Sequence, residues 1–145
     1  MRIAIASDHG GYKLKSELLP LLRDRSGLVH VEDLGTHGDA SVDYPDFAHA
    51  MAKAITSGKI ERGILVCGTG VGMSIAANRH AGIRAVVCSD TYTARLSRDH
   101  NDSNVLCIGE RVVGSGLAWQ IVEAWLDAGA SDNERHVRRR QKIEP

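Results

Sequence analysis

The run Gly63-Ile64-Leu65-Val66-Cys67-Gly68-Thr69-Gly70-Val71-Gly72-Met73-Ser74-Ile75-Ala76-Ala77-Asn78 decides how the chain folds. Ile64, Leu65 and Val66 make the short apolar stretch that a fully buried parallel strand requires, and Gly68, Thr69, Gly70, Val71 and Gly72 break it. From Met73 to Asn78 the residues suit a helix. A strand feeding a glycine loop that opens a helix aims unpaired backbone N–H groups, and the positive end of the helix dipole, at one point. That point is predicted to hold an anion. Cys67 ends the strand and would present its thiol there, where a helix N-terminus lowers a thiol pKa. A thiolate beside an anion cradle is a catalytic arrangement. The bland alternative is a small buried hydrophobe, the role expected of Cys88 and Cys107.

Two commoner loops resemble this one. A Walker loop ends in Gly-Lys-Ser/Thr and no lysine stands here, which argues against nucleoside triphosphate binding by that route. A dinucleotide fingerprint counted from Gly68 fits at its first two glycines, but its third falls on Met73, with Gly72 one residue early. Asp90, after the apolar run Ala85 to Cys88, stands about where a ribose-binding acid would, so a nucleotide-binding module is the alternative.

The 145 residues, 43% of them hydrophobic, suffice for one domain with its own core and not for two. A single domain over 1–145 is expected. No apolar run reaches the length of a membrane span, and Met1 leads directly into a strand-like run, so a cytoplasmic protein is expected. Three cysteines do not make a disulfide framework. Eighteen basic residues balance eighteen acidic ones, which gives no general attraction to nucleic acid or anionic lipid. Seven histidines show no metal-ligand spacing, and no metal is expected.

Along the chain, Arg2 to Ala6 reads as a strand, Ser7 to Gly11 as a loop, and Tyr12 opens a helix. Leu14, Leu18, Leu21 and Leu22 share a face with Lys13, Lys15 and Glu17 outside, and Pro20 is expected to kink or shorten the helix. Leu28 to Leu34 is a weaker strand suited to a sheet edge. Asp43 is expected to cap a helix with Pro45 in its first turn and a stripe of Phe47, Met51, Ala54 and Ile55, ending at Gly58. Arg84 to Cys88 and Val105 to Ile108 are further strands. Thr91 to His100 is a helix capped by Asp90, and Ser115 to Ala128 one closed by Gly129. The apolar residues of that last helix, Ala118 to Leu126, spread widely enough to predict that a subunit contact buries some of them.

Strand and helix alternate throughout. The pattern predicts a three-layer, Rossmann-like α/β fold: five parallel strands in flavodoxin-like order 2-1-3-4-5, helices on both faces, and a C-terminal helix. That order puts Asp8 and His9 beside Cys67 at the carboxyl edge, where such folds bind ligands. Near the C-terminus, spacing alone favours a solvated terminal helix face, although Arg135 and Arg139 share one face and are spaced to grip a phosphate.

Ser7-Asp8-His9-Gly10-Gly11, Asp43-Tyr44-Pro45, Cys67 to Gly72 followed by Ser74 to Asn78, Gly82-Ile83-Arg84-Ala85 and His100-Asn101-Asp102 together resemble the ribose-5-phosphate isomerase B family over nearly the whole chain. The resemblance implies metal-free and cofactor-free interconversion of an aldose phosphate and a ketose phosphate through an enediolate, in the pentose phosphate pathway. It makes Cys67 the base and His100 the group that opens the sugar ring. The loop Gly68, Thr69, Gly70, Val71 and Gly72 would hold the enediolate oxygen, with Thr69 counted as catalytic. Asp8, His9 and Asn101 would bind the sugar, while Arg111, Arg135 and Arg139 grip chiefly the phosphate. It further implies a homodimer, or a dimer of dimers, whose site is shared between subunits and whose basic segment 130–145 lies at the interface. One branch of the family has serine for the cysteine and a glutamate opening the next helix. Cys67 and Met73 place this chain with the cysteine branch.

Overall fold

In the computed structural model, which describes residues 1–144, strand β3 (Arg62–Cys67) runs through the middle of a five-stranded sheet. β1 (Arg2–Ser7) and β5 (Val105–Gly109) flank it, and β2 (His30–Asp33) and β4 (Ala85–Val87) form the edges. Every pairing is parallel, with Ile5 opposite Ile64 and Cys67 opposite Gly109. The period of two sorts β3 into two cores. Ile64 and Val66 meet Leu14, Leu18 and Leu22 of α1 (Tyr12–Asp24), Ala94 of α4 (Thr91–Asn101), and Ile121 and Trp125 of α5 (Ser115–Asp127). Leu65 and Cys67 meet Met51 of α2 (Tyr44–Thr56) and Met73 and Ala77 of α3 (Val71–Ala77). A last helix, α6 (Glu134–Gln141), packs on α4.

The alternation, the parallel sheet and the edge position of β2 agree with the sequence reading, but the order is 2-1-3-5-4 rather than 2-1-3-4-5. β5 is buried at all five positions, whereas β4 has three residues and leaves Val87 38% exposed. The strand that can be covered on both faces takes the inner place.

Several local expectations are corrected. Pro20 does not shorten α1, which runs on to Asp24, because Pro20 lies on the solvent side, where water can meet the carbonyl its missing N–H would have bonded, while Leu18 and Leu22 anchor the helix on either side. Lys15 is 1% exposed, not outside. Its ammonium meets Asp33 Oδ1 at 2.5 Å and the Thr36 carbonyl at 2.7 Å, which compensates the burial. Asp43 makes no side-chain cap, and the fully buried face of α2 is Ala48, Met51 and Ala52, with Phe47, Ala54 and Ile55 at its margin. Gly129 does not close α5. The Arg62 guanidinium does, donating to the Trp125 and Leu126 carbonyls at 3.4 and 3.0 Å. Ala118, Ile121, Val122, Trp125 and Leu126 are buried within the chain, and Trp119 is half-buried at the margin of the same core, so most of that stripe is covered without a second subunit. Among the described residues no helix is long and apolar enough to cross a membrane.

Candidate active site

The end of β1, the turn at His9–Gly11 and the loop after β3 converge at the carboxyl edge of the sheet. Asp8 N–H donates to the Val66 carbonyl at 3.3 Å, which draws the first loop onto the second. A Cβ at Gly11 would stand 2.4 Å from the Val66 carbonyl carbon, so only glycine permits this approach. A second strap ties in the β2 end: Ser7 N–H donates to the Gly35 carbonyl at 2.7 Å, and Thr36 N–H to the Ser7 carbonyl at 2.8 Å. The buried Lys15 holds that strap through Asp33 and Thr36.

Cys67 is 5% exposed, but its sulfur faces the loop: Gly70 N–H donates to Sγ at 3.0 Å. Gly70 adopts φ +80°, in the left-handed region, and its Cα lies against the backbone of Cys107 and Ile108. Val71 N–H is taken up by Thr69 Oγ1 at 3.3 Å. Two amides of the cradle are thus engaged within the loop itself, one of them on the sulfur, which leaves anion binding to the other amides between Gly68 and Met73. Met73 is wholly buried among the α2 and α3 side chains, so the base of the serine branch has no counterpart at that position.

Arg111 closes the other side. Its N–H donates to the Gly68 carbonyl at 3.1 Å, and Glu110 N–H donates to the Cys67 carbonyl at 2.8 Å. A Cβ on Gly10 would lie 3.4 Å from Asp8 Oδ1, 3.5 Å from Gly68 N and 3.8 Å from Arg111 Nη2, which locates all three around one point. Asp8 is 8% exposed, and its Oδ1 is buried without a hydrogen-bond partner among the described residues. A carboxylate oxygen kept dry and unpaired near a guanidinium retains its capacity to accept from a hydrogen-bond donor. His9 is exposed and accepts from Val42 N–H through Nδ1 at 3.2 Å, so Nε2 is the nitrogen able to meet a ligand.

The other residues picked out from the sequence lie elsewhere. α4 starts at the carboxyl edge after β4 and runs back, so His100 and Asn101 sit at the amino edge. There Asn104 accepts from Gly63 N–H at 2.9 Å. Gly63 and Cys67 are four residues apart along β3, about 13 Å at the strand rise. α6 belongs to the amino edge too. Ser131 N–H donates to the Asp99 carbonyl at 2.8 Å, and the His136 ring lies 4.2 Å from that of His100. Arg135 and Arg139 are exposed on this helix. One chain therefore carries two groups of polar residues at opposite edges: Asp8, His9, Cys67, the loop and Arg111 at one, His100, Asn101, Arg135 and Arg139 at the other.

Sequence reasoning missed three contributors. Tyr44 lies against Gly72, where a Cβ would stand 2.8 Å from its ring. Glu110 accepts from Leu14 N–H at 2.9 Å and fixes the start of α1. His136 is buried against His100. Tyr44 falls in a motif the reading quoted; nothing in periodicity or spacing pointed to the other two.

The remaining cysteines are core residues. Burial first, then the Asp90 charge, pushes the Cys88 thiol up to about 11, and complete burial raises Cys107 well above its usual value. Asp90 caps α4, accepting from Thr93 N–H at 2.7 Å and Thr93 Oγ1 at 2.8 Å. That occupies the carboxylate the nucleotide alternative needed. A cavity of about 550 Å³ opens at the amino edge, with Asn78, His80, Arg84, Asn101 and Glu144 in its wall.

Together these features define an α/β protein with an anion cradle and a thiol facing one another at the carboxyl edge of a parallel sheet. Comparison with known proteins narrows the class. The ribose/galactose isomerase family model matches residues 3–143. The chain is 51% identical to ribose-5-phosphate isomerase B of Escherichia coli K12 over 142 residues, 98% of this chain and 93% of that one. It is 43% identical to D-erythrulose-4-phosphate isomerase of Pectobacterium atrosepticum over 128 residues, 88% and 84% of the two chains. Its fold superposes on the structure of Clostridium thermocellum ribose-5-phosphate isomerase B with a TM-score of 0.94 at 55% identity, covering 99% and 95%. The chain belongs to the ribose/galactose isomerase family and is an isomerase.

Proposed function

We propose that this protein interconverts ribose 5-phosphate and ribulose 5-phosphate through an enediolate. The observation that carries the reading is the cluster at the carboxyl edge: a sulfur held by a loop amide, an unpaired buried carboxylate oxygen and a guanidinium around one small space. His100 opens the furanose ring by moving a proton between the ring oxygen and the anomeric hydroxyl. Cys67, as thiolate, removes the proton from C2 of the open aldose. Charge then builds on the carbonyl oxygen, where free loop amides and Thr69 stabilise it, a type of contact worth about 3–4 kcal/mol per donor. Cys67 returns the proton to C1 while the C2 hydroxyl proton passes to O1, so C2 becomes the carbonyl, C1 the primary alcohol, and the thiolate is regenerated with no net change in oxidation state. Asp8, His9 and Asn101 hold the sugar hydroxyls, and Arg111, Arg135 and Arg139 bind the phosphate.

His100 and Cys67 lie at opposite edges of one sheet, so the reading requires a second copy, whose amino edge covers the carboxyl edge of the first. A homodimer supplies this with two equivalent sites. The identity to a relative named for a four-carbon ketose phosphate favours a second reading, in which the same chemistry serves another chain length. Turnover of ribose, allose, galactose and tetrose phosphates, measured without added metal, decides between them: ribose 5-phosphate is expected to give the highest kcat/KM. Tight nucleotide binding by calorimetry with no turnover of any sugar phosphate would defeat both readings.

A further inference from the structure

Helix α6 has two cationic faces with different fates. Arg135 and Arg139 are exposed, whereas His136 and Arg140, also four apart, turn toward α4, and His136 is only 6% exposed. The His136 ring lies against that of His100, with centroids 4.2 Å apart and planes at 47°, while Asp99 Oδ2 stands 3.6 Å from His100 Nε2. His136 Nε2 is 3.3 Å from Arg135 Nε. A guanidinium only donates, so Nε2 must carry a lone pair and the ring proton resides on Nδ1. That Nδ1 is buried without a partner among the described residues. An apolar side chain of similar size would fill the space without leaving an N–H unpaired, so packing alone gives no reason for histidine here.

The contact with Arg135 exists only while the ring is neutral. Burial lowers the His136 pKa first, then the His100, Arg135 and Arg139 charges, with Asp99 acting in the opposite direction. Protonation would remove the acceptor and set a cation among those three.

We infer that His136 is a positioning residue whose neutral ring orients His100 and Arg135 together, so that one side chain registers ring opening with phosphate binding. This rests on the sugar-phosphate reading above. Accepting from Nε fixes the plane of the Arg135 guanidinium and leaves its two terminal nitrogens for the phosphate, while the tilted ring contact fixes the orientation of His100.

The test compares His136→Phe, His136→Gln and the unaltered enzyme with ribose 5-phosphate across pH, after circular dichroism and Tm show each variant folded. Phenylalanine keeps the ring contact with His100 and loses the acceptor, so KM is expected to rise about tenfold, the loss of one oriented charged contact, while kcat changes far less. Glutamine restores an acceptor and is expected to keep KM near that of the unaltered enzyme. In the unaltered enzyme KM is expected to climb as pH falls below the ordinary histidine range. That acid limb is expected to flatten in both variants to the part set by the phosphate's own second ionisation at about pH 6. A folded His136→Phe enzyme with unchanged KM, kcat and acid limb would overturn the inference. Nitrogen-15 spectra of the histidine rings give a readout independent of turnover. An Nδ1–H tautomer of His136 at neutral pH supports the arrangement even if ribose 5-phosphate proves not to be a substrate, and an Nε2–H or doubly protonated ring contradicts it.

Discussion

The Cys67 sulfur is both nearly buried and aimed at the loop, and only this pairing makes it more than a core residue. Cys88 and Cys107 share its burial and lack its loop. Cys67→Ala is therefore expected to fold with little change in Tm and to lose about 10²- to 10⁴-fold in kcat, the usual contribution of a positioned base. A folded variant with normal turnover would remove the cysteine from the mechanism. Gly70 supports the sulfur through its amide at φ +80° and touches the β5 backbone. Gly70→Ala is expected to cost about 1–2 kcal/mol in urea unfolding from the left-handed conformation alone, more once the Cβ meets Cys107 and Ile108, and to reduce kcat with it. At this scale the sequence was informative where chemistry and local backbone coincide, as at Cys67-Gly68-Thr69-Gly70. His136 was not legible. A buried histidine four residues from an arginine looks like any other residue of a basic helix until α4 is placed beside it.

Among the elements, α1 and α4 are each fixed by one charged side chain. Lys15 is buried on α1 and holds Asp33 and the Thr36 carbonyl, and with them the strap beneath Asp8. Lys15→Met leaves the Asp33 carboxylate without its partner and is expected to cost about 3–5 kcal/mol by urea unfolding. Adding Asp33→Asn should return part of that loss, because a buried pair costs most when only one member is removed. Asp90 caps α4. The Thr93 N–H and hydroxyl bonds hold its pKa below the ordinary carboxylate value, so its contribution is present above that range and is lost as pH falls through the folded pKa. Asp90→Ala should lower Tm at pH 7, and the gap between the two proteins should close below about pH 4. A gap independent of pH would assign the effect to something other than the charged cap. The Asp90 cap was legible because it is local. Lys15 was not, since its partner lies 18 residues away across a sheet edge and the helical periodicity counted it as an outward position.

For the whole molecule, alternating strands and helices revealed the layers, the parallel sheet and the junction of β1 with β3 that brings Asp8 to Cys67. They did not reveal that β5 lies inside β4. That choice depends on which strand can be covered on both faces, and runs as short as Ala85-Val86-Val87 and Val105 to Ile108 look alike in sequence. The exchange leaves the β1/β3 junction untouched. It also leaves α4 running from the carboxyl to the amino edge, which separates His100 from Cys67 within a chain. The functional reading thus stands or falls on two copies joining unlike edges. Cys67→Ala and His100→Asn, each inactive alone, should be unfolded, mixed in equal amounts and refolded. If each site takes its sulfur from one copy and its imidazole from the other, half the dimers are mixed and half their sites intact, so activity should return to about a quarter of the unaltered enzyme's. A mixture that exchanges subunits and stays as inactive as its components would contradict the shared site.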